Sequence, residues 1–190
     1  MSTFIHPGSE TKPITQHLMA PRERLLTGST SDQRLPAKET ELHTNQKPMM
    51  DITKLPFNEL IGLARSESSG FLLRLPSELR YTNHLGTVHA SALMSLAEAS
   101  SGEVLIQSLG DIEDSIIPVV RRFECKFRRP AQGSVHSKAT LTDEAISALR
   151  ASLTATRRAT IEVTVDIYDS SDTHIMTATA EWFVATRNQA

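Results

Sequence analysis

The spacing of hydrophobic residues divides the chain into a polar N-terminal stretch and a denser domain. Residues 1 to about 48 show neither the period of 2 of a strand nor the period of 3.6 of a helix. Such a stretch buries too little apolar surface to offset the entropy of ordering it, so we predict a disordered tail over residues 1–48. The dense pattern begins at the pair Met49 and Met50, which suggests that the native chain starts there and that the domain spans residues 49–190.

The domain begins with helical patterns. Phe57, Leu60, Ile61 and Ala64 are spaced like one face of a short helix, and "GFLLRLPSELRYTN" reads as a strand or a bent pair of strands. From Val88 to about Gln107 apolar residues occur on almost every side, which is typical of a helix covered all round. A sheet wrapped around this helix would provide the cover.

Alternation of apolar and polar residues predicts strands over the rest of the domain. The strand segments are "RFECKFR", "SVHSKATLT", "TIEVTVDIYD" and "THIMTATAEWFVAT", and the turn "DSSD" should join the last two in an antiparallel hairpin. A helical insertion, "DEAISALRASL", can be capped by Thr142 or Asp143. This order predicts an α+β fold in which an antiparallel sheet wraps a long central helix.

Composition narrows the classes of function. The 20 Lys and Arg against 22 Asp and Glu give a formal net charge of -2, so we expect no general affinity for nucleic acid or for anionic membranes. Cys125 is the single cysteine, which excludes an internal disulfide and a four-cysteine zinc site and suits a reducing compartment. No apolar run approaches the ~18 residues that a membrane span requires. We expect a soluble cytoplasmic protein.

The candidate chemistry lies in "NHLGTVHASALMSLAEASSG", residues 83–102, where Glu98 interrupts an otherwise apolar helix. The first amides of a helix lack intrahelical partners and stand at the positive end of its dipole, so they can hold an oxyanion. Glu98 lies seven residues beyond Ser91, roughly two turns along one face, with Ser95, Ser101 and Gly102 as neighbours. Burial would disfavour its charged form and make it a better proton acceptor near neutral pH.

This segment, the strand exit "FRRPAQGSV" and the terminal hairpin resemble the hot-dog fold acyl-CoA thioesterases, over about residues 55–187. The resemblance is greatest to the branch related to the phenylacetate-pathway thioesterases. That branch typically shows Asn, then Gly, then His-Gly-Gly, and an acid nine residues after the His. The matching positions here are Asn83, Gly86, His89-Ala90-Ser91 and Glu98.

The resemblance implies hydrolysis of an acyl-CoA or acyl-carrier thioester. By this likeness Glu98 activates water or attacks the thioester directly, the Ala90 amide holds the oxyanion, and Asn83 positions the carbonyl or the water. His89 would contact substrate at the helix start. The resemblance further implies a homodimer or homotetramer with the site between subunits, and coenzyme A enters only as part of the substrate, without another cofactor.

Further residues are candidates for binding the substrate. Gly86, Ser91, Ser101 and Gly102 border the motif, although Ala90 and Ser91 replace the two glycines of the relatives and narrow the approach to the backbone. Some relatives also place Thr or Ser where this chain has Gly102. Arginines flank the strand "RFECKFR", and guanidinium groups suit the phosphates of coenzyme A, which makes Arg128 and Arg129 candidates.

Two alternatives remain open. One is a non-catalytic module that binds acyl-CoA or an acyl carrier. The other is a hydroxyacyl thioester dehydratase, because those enzymes carry a His fourteen residues before a helix Glu, as His84 precedes Glu98 here; they usually also carry prolines, which "HLGTVHAS" lacks. We expect no metal site, since His84 and His89 are five residues apart and no nearby acid completes a ligand set.

Overall fold

The computed structural model describes residues 50–187. The predicted disordered tail of residues 1–48 and the predicted start at Met49 and Met50 fall on the boundary of the described range or outside it. They therefore stay predictions, and the fold below concerns the domain alone.

The domain contains one six-stranded antiparallel sheet. Its strands run in the order β1-β2-β4-β5-β6-β3, so β1 and β3 lie at the two edges. Their bounds are β1 Ala64–Arg65, β2 Leu73–Leu75, β3 Ile116–Phe127, β4 Val135–Thr140, β5 Arg158–Asp169 and β6 His174–Thr186.

The predicted hairpin is confirmed in β5 and β6, which pair along almost their whole length. The alternating residues of β5 point to the core, because Ile161, Val163, Val165 and Ile167 are buried while the residues between them are partly or fully exposed. The period-2 pattern in the sequence therefore predicted the inner face of β5 correctly.

The long helix α2, Ala90–Ser108, packs against this inner face. Leu96, Ala97 and Leu105 have no exposed surface, and the second half of the helix is buried almost all round. The predicted architecture, an antiparallel sheet around a central helix, is confirmed.

Two predictions about the start of the domain are confirmed only in part. The helix α1 is shorter than predicted, Pro56–Leu60, and two residues of its supposed inner face, Phe57 and Leu60, are 59% and 71% exposed. The "GFLLRLPSELRYTN" segment forms only the short β2 and a 3-10 turn, Leu79–Tyr81. Pro76 follows β2 directly, and its missing N–H ends the hydrogen-bond ladder there.

The helical insertion forms α3, Asp143–Thr156, and Thr142 is its cap, with Oγ1 accepting from the Ala145 amide at 3.2 Å. Arg150 ties α3 to the end of α2 by donating to the Ser108 carbonyl at 2.9 Å and pairing with Asp111 at 2.6 Å. None of the helices between residues 50 and 187 is long and apolar enough to span a membrane.

Candidate active site

Asn83 shapes the loop that enters α2. Its Oδ1 accepts from the amides of Leu85 and Thr87 at 2.9 and 3.2 Å, and its Nδ2 donates to Thr87 Oγ1 at 2.9 Å. Gly86 adopts φ +73° at the tip of this loop, a conformation that favours glycine although a Cβ would meet no atom there. The predicted site residues Asn83 and Gly86 thus hold the chain in a fixed approach to the helix.

The helix start leaves one amide without an acceptor. His89 is the N-cap: its Nδ1 accepts from the Ser91 amide at 3.1 Å, and its carbonyl accepts from Ala92 at 3.0 Å. The His89 amide donates to the Tyr81 carbonyl at 2.7 Å. Within residues 50–187 the Ala90 N–H therefore stands alone among these amides, at the positive end of the helix dipole.

The cap also determines the tautomer of His89. Because Nδ1 accepts a hydrogen bond, the neutral imidazole carries its proton on Nε2. The ring can therefore donate a hydrogen bond from Nε2.

Glu98 lies two turns further along α2. Its side chain is partly buried, and its carboxylate makes no hydrogen bond or ion pair with any residue between 50 and 187. Burial raises the pKa of this carboxyl above its ordinary value, because water is removed and no cation replaces it. Such a group is suited to accept a proton.

Within one chain Glu98 and the Ala90 amide lie too far apart to contact the same thioester group. Eight residues separate them, which corresponds to about 12 Å along the axis at about 1.5 Å per residue. His84, the alternative partner of Glu98, is exposed in the entry loop and no described hydrogen bond joins the two side chains. In residues 50–187 no group of three His, Cys, Asp or Glu side chains is arranged to hold a metal ion.

Two grooves flank the start of α2. The first, which we call the arginine groove, has a volume of about 330 Å³ and is lined by Asn83, Ala90, Phe127, Arg128 and Arg129, among others. It brings four of the predicted site residues together. The second, the apolar groove, has a volume of about 220 Å³ and lies on the other side of the helix start, where its lining includes Ile61, Tyr81, His89, Ser91, Ala92 and Ser95. A larger groove of about 570 Å³ between α3 and the start of β5 contains no predicted site residue.

The two arginines of the arginine groove differ in their engagement. Arg128 donates to Thr177 Oγ1 at 3.1 Å, whereas the Arg129 side chain makes no hydrogen bond or ion pair with the rest of the described domain. Both are exposed. Arg129 can therefore meet an anionic ligand without breaking an existing pair.

Ser101 and Gly102 have packing roles within the chain. Both are buried, and the Trp182 indole N–H donates to Ser101 Oγ at 3.0 Å while that hydroxyl donates to the Glu98 carbonyl at 2.7 Å. A Cβ on Gly102 would lie 3.4 Å from the Trp182 ring. In the described chain these two residues lie beneath Trp182 and line neither groove at the helix start.

The sequence interpretation missed a second acid on α2. Glu103 is 1% exposed and accepts hydrogen bonds from Arg65 on β1 and from Gln107, the latter at 2.7 Å. Arg65 also reaches Asp51 at 3.3 Å. The spacing of Glu103 and Gln107 was visible in the sequence, but nothing in the sequence pattern pointed to a partner 38 residues upstream.

Residues 65–184 match the profile of a family described as a domain of unknown function, DUF4442. The chain belongs to this family. A search of curated proteins finds no match.

Solved structures share the fold. A Pseudomonas aeruginosa protein of unknown function, described as a probable thioesterase, is 24% identical and has a TM-score of 0.59, with 72% of this chain and 91% of that chain covered. A Haemophilus influenzae thioesterase is 16% identical, TM-score 0.54, with 73% and 88% covered. A Bacillus halodurans protein solved with CoA is 18% identical, TM-score 0.52, with 67% and 74% covered. The predicted hot-dog fold is confirmed by these likenesses.

Proposed function

We propose that this protein hydrolyses an acyl-CoA or acyl-carrier thioester, with Glu98 as general base or nucleophile. The proposal depends on one observation: within residues 50–187 the partly buried Glu98 has no partner, and it lies on the helix whose first amide, Ala90, is also unpaired. A structural acid at such a depth is normally paired, because burying an uncompensated charge is unfavourable. A base that must take up a proton is better left unpaired.

The Ala90 amide provides the oxyanion site of this proposal. The thioester carbonyl oxygen accepts from Ala90 N–H, and the helix dipole stabilises the negative charge that develops there. The Nε2–H of His89 is a second donor at the same end of the helix. Asn83 contributes by holding the entry loop in place through its bonds to Leu85 and Thr87.

The reaction then proceeds from the carboxylate. Glu98 takes a proton from water as the water oxygen attacks the thioester carbon, or its own oxygen attacks that carbon directly. In either route the tetrahedral intermediate collapses with cleavage of the C–S bond, and the departing sulfur takes the proton held by Glu98 in the water route or a proton from solvent in the direct route. The direct route leaves the acyl group on Glu98 as a mixed anhydride, which water then hydrolyses to restore the carboxylate. The products are a free carboxylic acid and a thiol.

The distance along α2 requires two copies of the chain. Since Ala90 and Glu98 are about 12 Å apart along one helix, the Ala90 amide is matched with Glu98 of the partner subunit. The edge strand β3 supports a homodimer: among residues 50–187 it pairs with β6 on one side only, and its residues Ile117 and Val119 are 46% and 50% exposed. Long exposed apolar edges of this kind are sites of pairing between chains. A homotetramer is the other assembly we consider.

Coenzyme A fits the arginine groove. Arg129 and Arg128 stand beside Ala90 in that groove, and guanidinium groups bind phosphates well because their donors match the oxygens. The Bacillus halodurans neighbour, solved with CoA, has the same fold and supports a CoA-type ligand. CoA is part of the substrate, and we place the reaction in the cytoplasm, where the single thiol, Cys125, stays reduced.

Thiol release from short, medium, long and aromatic acyl-CoAs tests the proposal. The purified protein should release thiol from at least one of these substrates, and the Glu98→Ala variant should not. Glu144→Ala provides a matched control, because Glu144 is exposed in the first turn of α3. Equal rates for the wild type and Glu98→Ala would reject the proposal.

The same preparations separate the alternatives. Binding of acyl-CoA without turnover, measured by calorimetry, would instead identify a non-catalytic module. Hydration of an enoyl thioester that is lost in His84→Ala would identify a dehydratase. Either result would overturn hydrolysis as the function.

A further inference from the structure

The apolar groove lies between α1 and the start of α2. Leu75 of β2 and Tyr81 form its buried floor, and Ala92 and Ser95 form its helical wall. Phe57 of α1 stands at the rim, with 59% of its surface exposed. The groove is therefore built from three separate elements around one face of the helix start.

Two hydroxyls in the groove, those of Tyr81 and Ser95, are already satisfied, whereas the Ser91 hydroxyl and His89 Nε2, which flank Ala90, have no partner in residues 50–187. The Tyr81 hydroxyl donates to the Ile61 carbonyl, and the Ser95 hydroxyl donates to the Ser91 carbonyl at 2.9 Å. These bonds already use the hydroxyl protons of both side chains, so neither hydroxyl is free to donate to a ligand. An occupant consequently meets mostly hydrocarbon, which favours an apolar group.

The charged side chain in the lining is also occupied. Arg80 pairs with Glu78 at 2.8 Å, lies over the Tyr81 ring with 5.0 Å to its centre and reaches the Leu60 carbonyl at 3.4 Å. Glu78 largely neutralises this guanidinium, so the groove offers a second carboxylate little net attraction. The groove thus disfavours an acyl group that ends in a second carboxylate.

The position of the groove relates it to the thioester. His89 and Ser91 line it, and these residues flank Ala90, which lines the arginine groove on the other side. A thioester whose carbonyl binds at Ala90 would thus have a phosphate-binding groove on one side and an apolar groove on the other.

The size of the groove limits its occupant. Its volume is about 220 Å³, and an apolar protein cavity of about 150 Å³ accommodates benzene. One aromatic ring or a chain of similar bulk therefore fills the groove, whereas the distal part of a long fatty chain would lie outside it.

We infer that the apolar groove holds the acyl group of the substrate and selects an uncharged acyl group about the size of one aromatic ring. This inference rests on the proposed function. The substrate class is thus the thioesters of short monocarboxylic acids, and Ala92 is a residue that determines specificity, because its small side chain leaves the space beside Tyr81.

The test compares kcat/KM for acetyl-, hexanoyl-, benzoyl-, succinyl- and palmitoyl-CoA. Hexanoyl and benzoyl should be the best substrates of the wild type. Ala92→Leu adds three carbons to the groove wall and should lower the ratio of hexanoyl to acetyl kcat/KM at least tenfold. Ala151→Leu is the matched control, since Ala151 is exposed on α3 and lines neither groove. A partial folding defect cancels in the ratio, because one preparation hydrolyses both substrates.

The outcomes separate the two proposals. An active enzyme whose ratio changes less than twofold in Ala92→Leu, or whose best substrate is succinyl- or palmitoyl-CoA, overturns the inference about the groove and leaves hydrolysis standing. A wild type that releases thiol from none of the five substrates overturns the proposed function itself. Phe57→Ala gives a second readout: opening the rim should raise the ratio of palmitoyl to hexanoyl kcat/KM, and an unchanged ratio counts against the groove.

Discussion

Two glutamates five residues apart on α2 differ in whether their carboxylates have partners. Glu103 is almost completely buried and accepts hydrogen bonds from Arg65 and Gln107. Glu98 is less buried, yet its carboxylate has no partner in residues 50–187, and burial raises its pKa. Burial of an acid is therefore a poor indicator of function by itself, whereas burial without a compensating cation is informative.

The same contrast extends to the two halves of the helix. In the second half polar groups are satisfied: the Ser100 hydroxyl donates to the Leu96 carbonyl and is hydrogen-bonded to the Ser137 hydroxyl, both at 2.6 Å, and Ser101 accepts from the Trp182 indole N–H. The first half begins at the Ala90 amide, which has no acceptor in residues 50–187. One half thus fixes the helix in the sheet, and the other presents groups available to a substrate.

The largest expected effect concerns activity. Glu98→Gln removes the base and keeps the shape of the side chain, so kcat/KM for the best acyl-CoA should fall at least about 100-fold. Glu103→Gln should retain the activity per folded molecule, since Glu103 is closed off from both grooves. Steady-state thiol release measures both. The contrast between the two acids fails if the two variants lose activity equally.

The next effect is on stability, and here Glu103→Gln should lose more than Glu98→Gln. Glu103→Gln removes the buried anionic partner of Arg65 and leaves it only the more exposed Asp51, so we expect the free energy of unfolding to fall by about 1–3 kcal/mol. Glu98→Gln should cause no such loss, because it removes no bond of the described chain. Denaturant unfolding followed by circular dichroism distinguishes them. A Glu103→Gln variant as stable as the wild type would show that the buried pair contributes nothing net.

A smaller effect is expected from the helix cap. His89→Ala removes the acceptor for the Ser91 amide and should cost about 1 kcal/mol of stability, a typical value for an N-cap. His89→Asn should restore that stability, because Asn is a good N-cap. If both variants remain less active than the wild type, His89 also contacts the substrate. Equal stability of the wild type and His89→Ala in thermal unfolding would contradict the capping role.

The smallest effect is a pH dependence of stability. The folded-state pKa of Glu98 is raised, so ionisation is less favourable in the folded protein than in the unfolded chain. The wild type therefore loses stability as pH rises from 4.5 through the raised value, whereas Glu98→Gln does not. Above that window the variant should be more stable by less than about 1 kcal/mol, because the carboxylate stays partly hydrated. Parallel unfolding curves at pH 4 and pH 7 measure this difference. A Glu98→Gln variant that is less stable than the wild type at pH 7 would contradict the prediction.

Much of the fold was predictable from local pattern. The period-2 alternation of Ile161, Val163, Val165 and Ile167 located β5, and the lack of a polar face located the central helix. The start of the domain was not, because α1 is only five residues long and its apolar residues Phe57 and Leu60 point outward. A periodicity over so few residues cannot distinguish a buried face from the rim of a groove.

The motif of the candidate site could be predicted from the sequence, whereas the long-range contacts around it could not. The loop from Asn83 to Ala90 forms the helix entry that the motif implied, and Arg128 and Arg129 do join Asn83 in one groove. The pairing of Glu103 with Arg65 and the closure of Ser101 and Gly102 by Trp182 depend on contacts between distant segments. Such contacts arise from strand order and register, which local spacing does not encode.

The titration of the Glu98 carboxyl tests the central claim most directly. Protein labelled with ¹³C at the glutamate carboxyl carbons, compared with Glu98→Gln to assign the signal, reports the protonation of this one group by NMR. We predict a midpoint above 4.5 that coincides with the acid limb of the kcat/KM profile for the best acyl-CoA. A midpoint at or below 4.5 would contradict the claim that Glu98 is an unpaired, desolvated base.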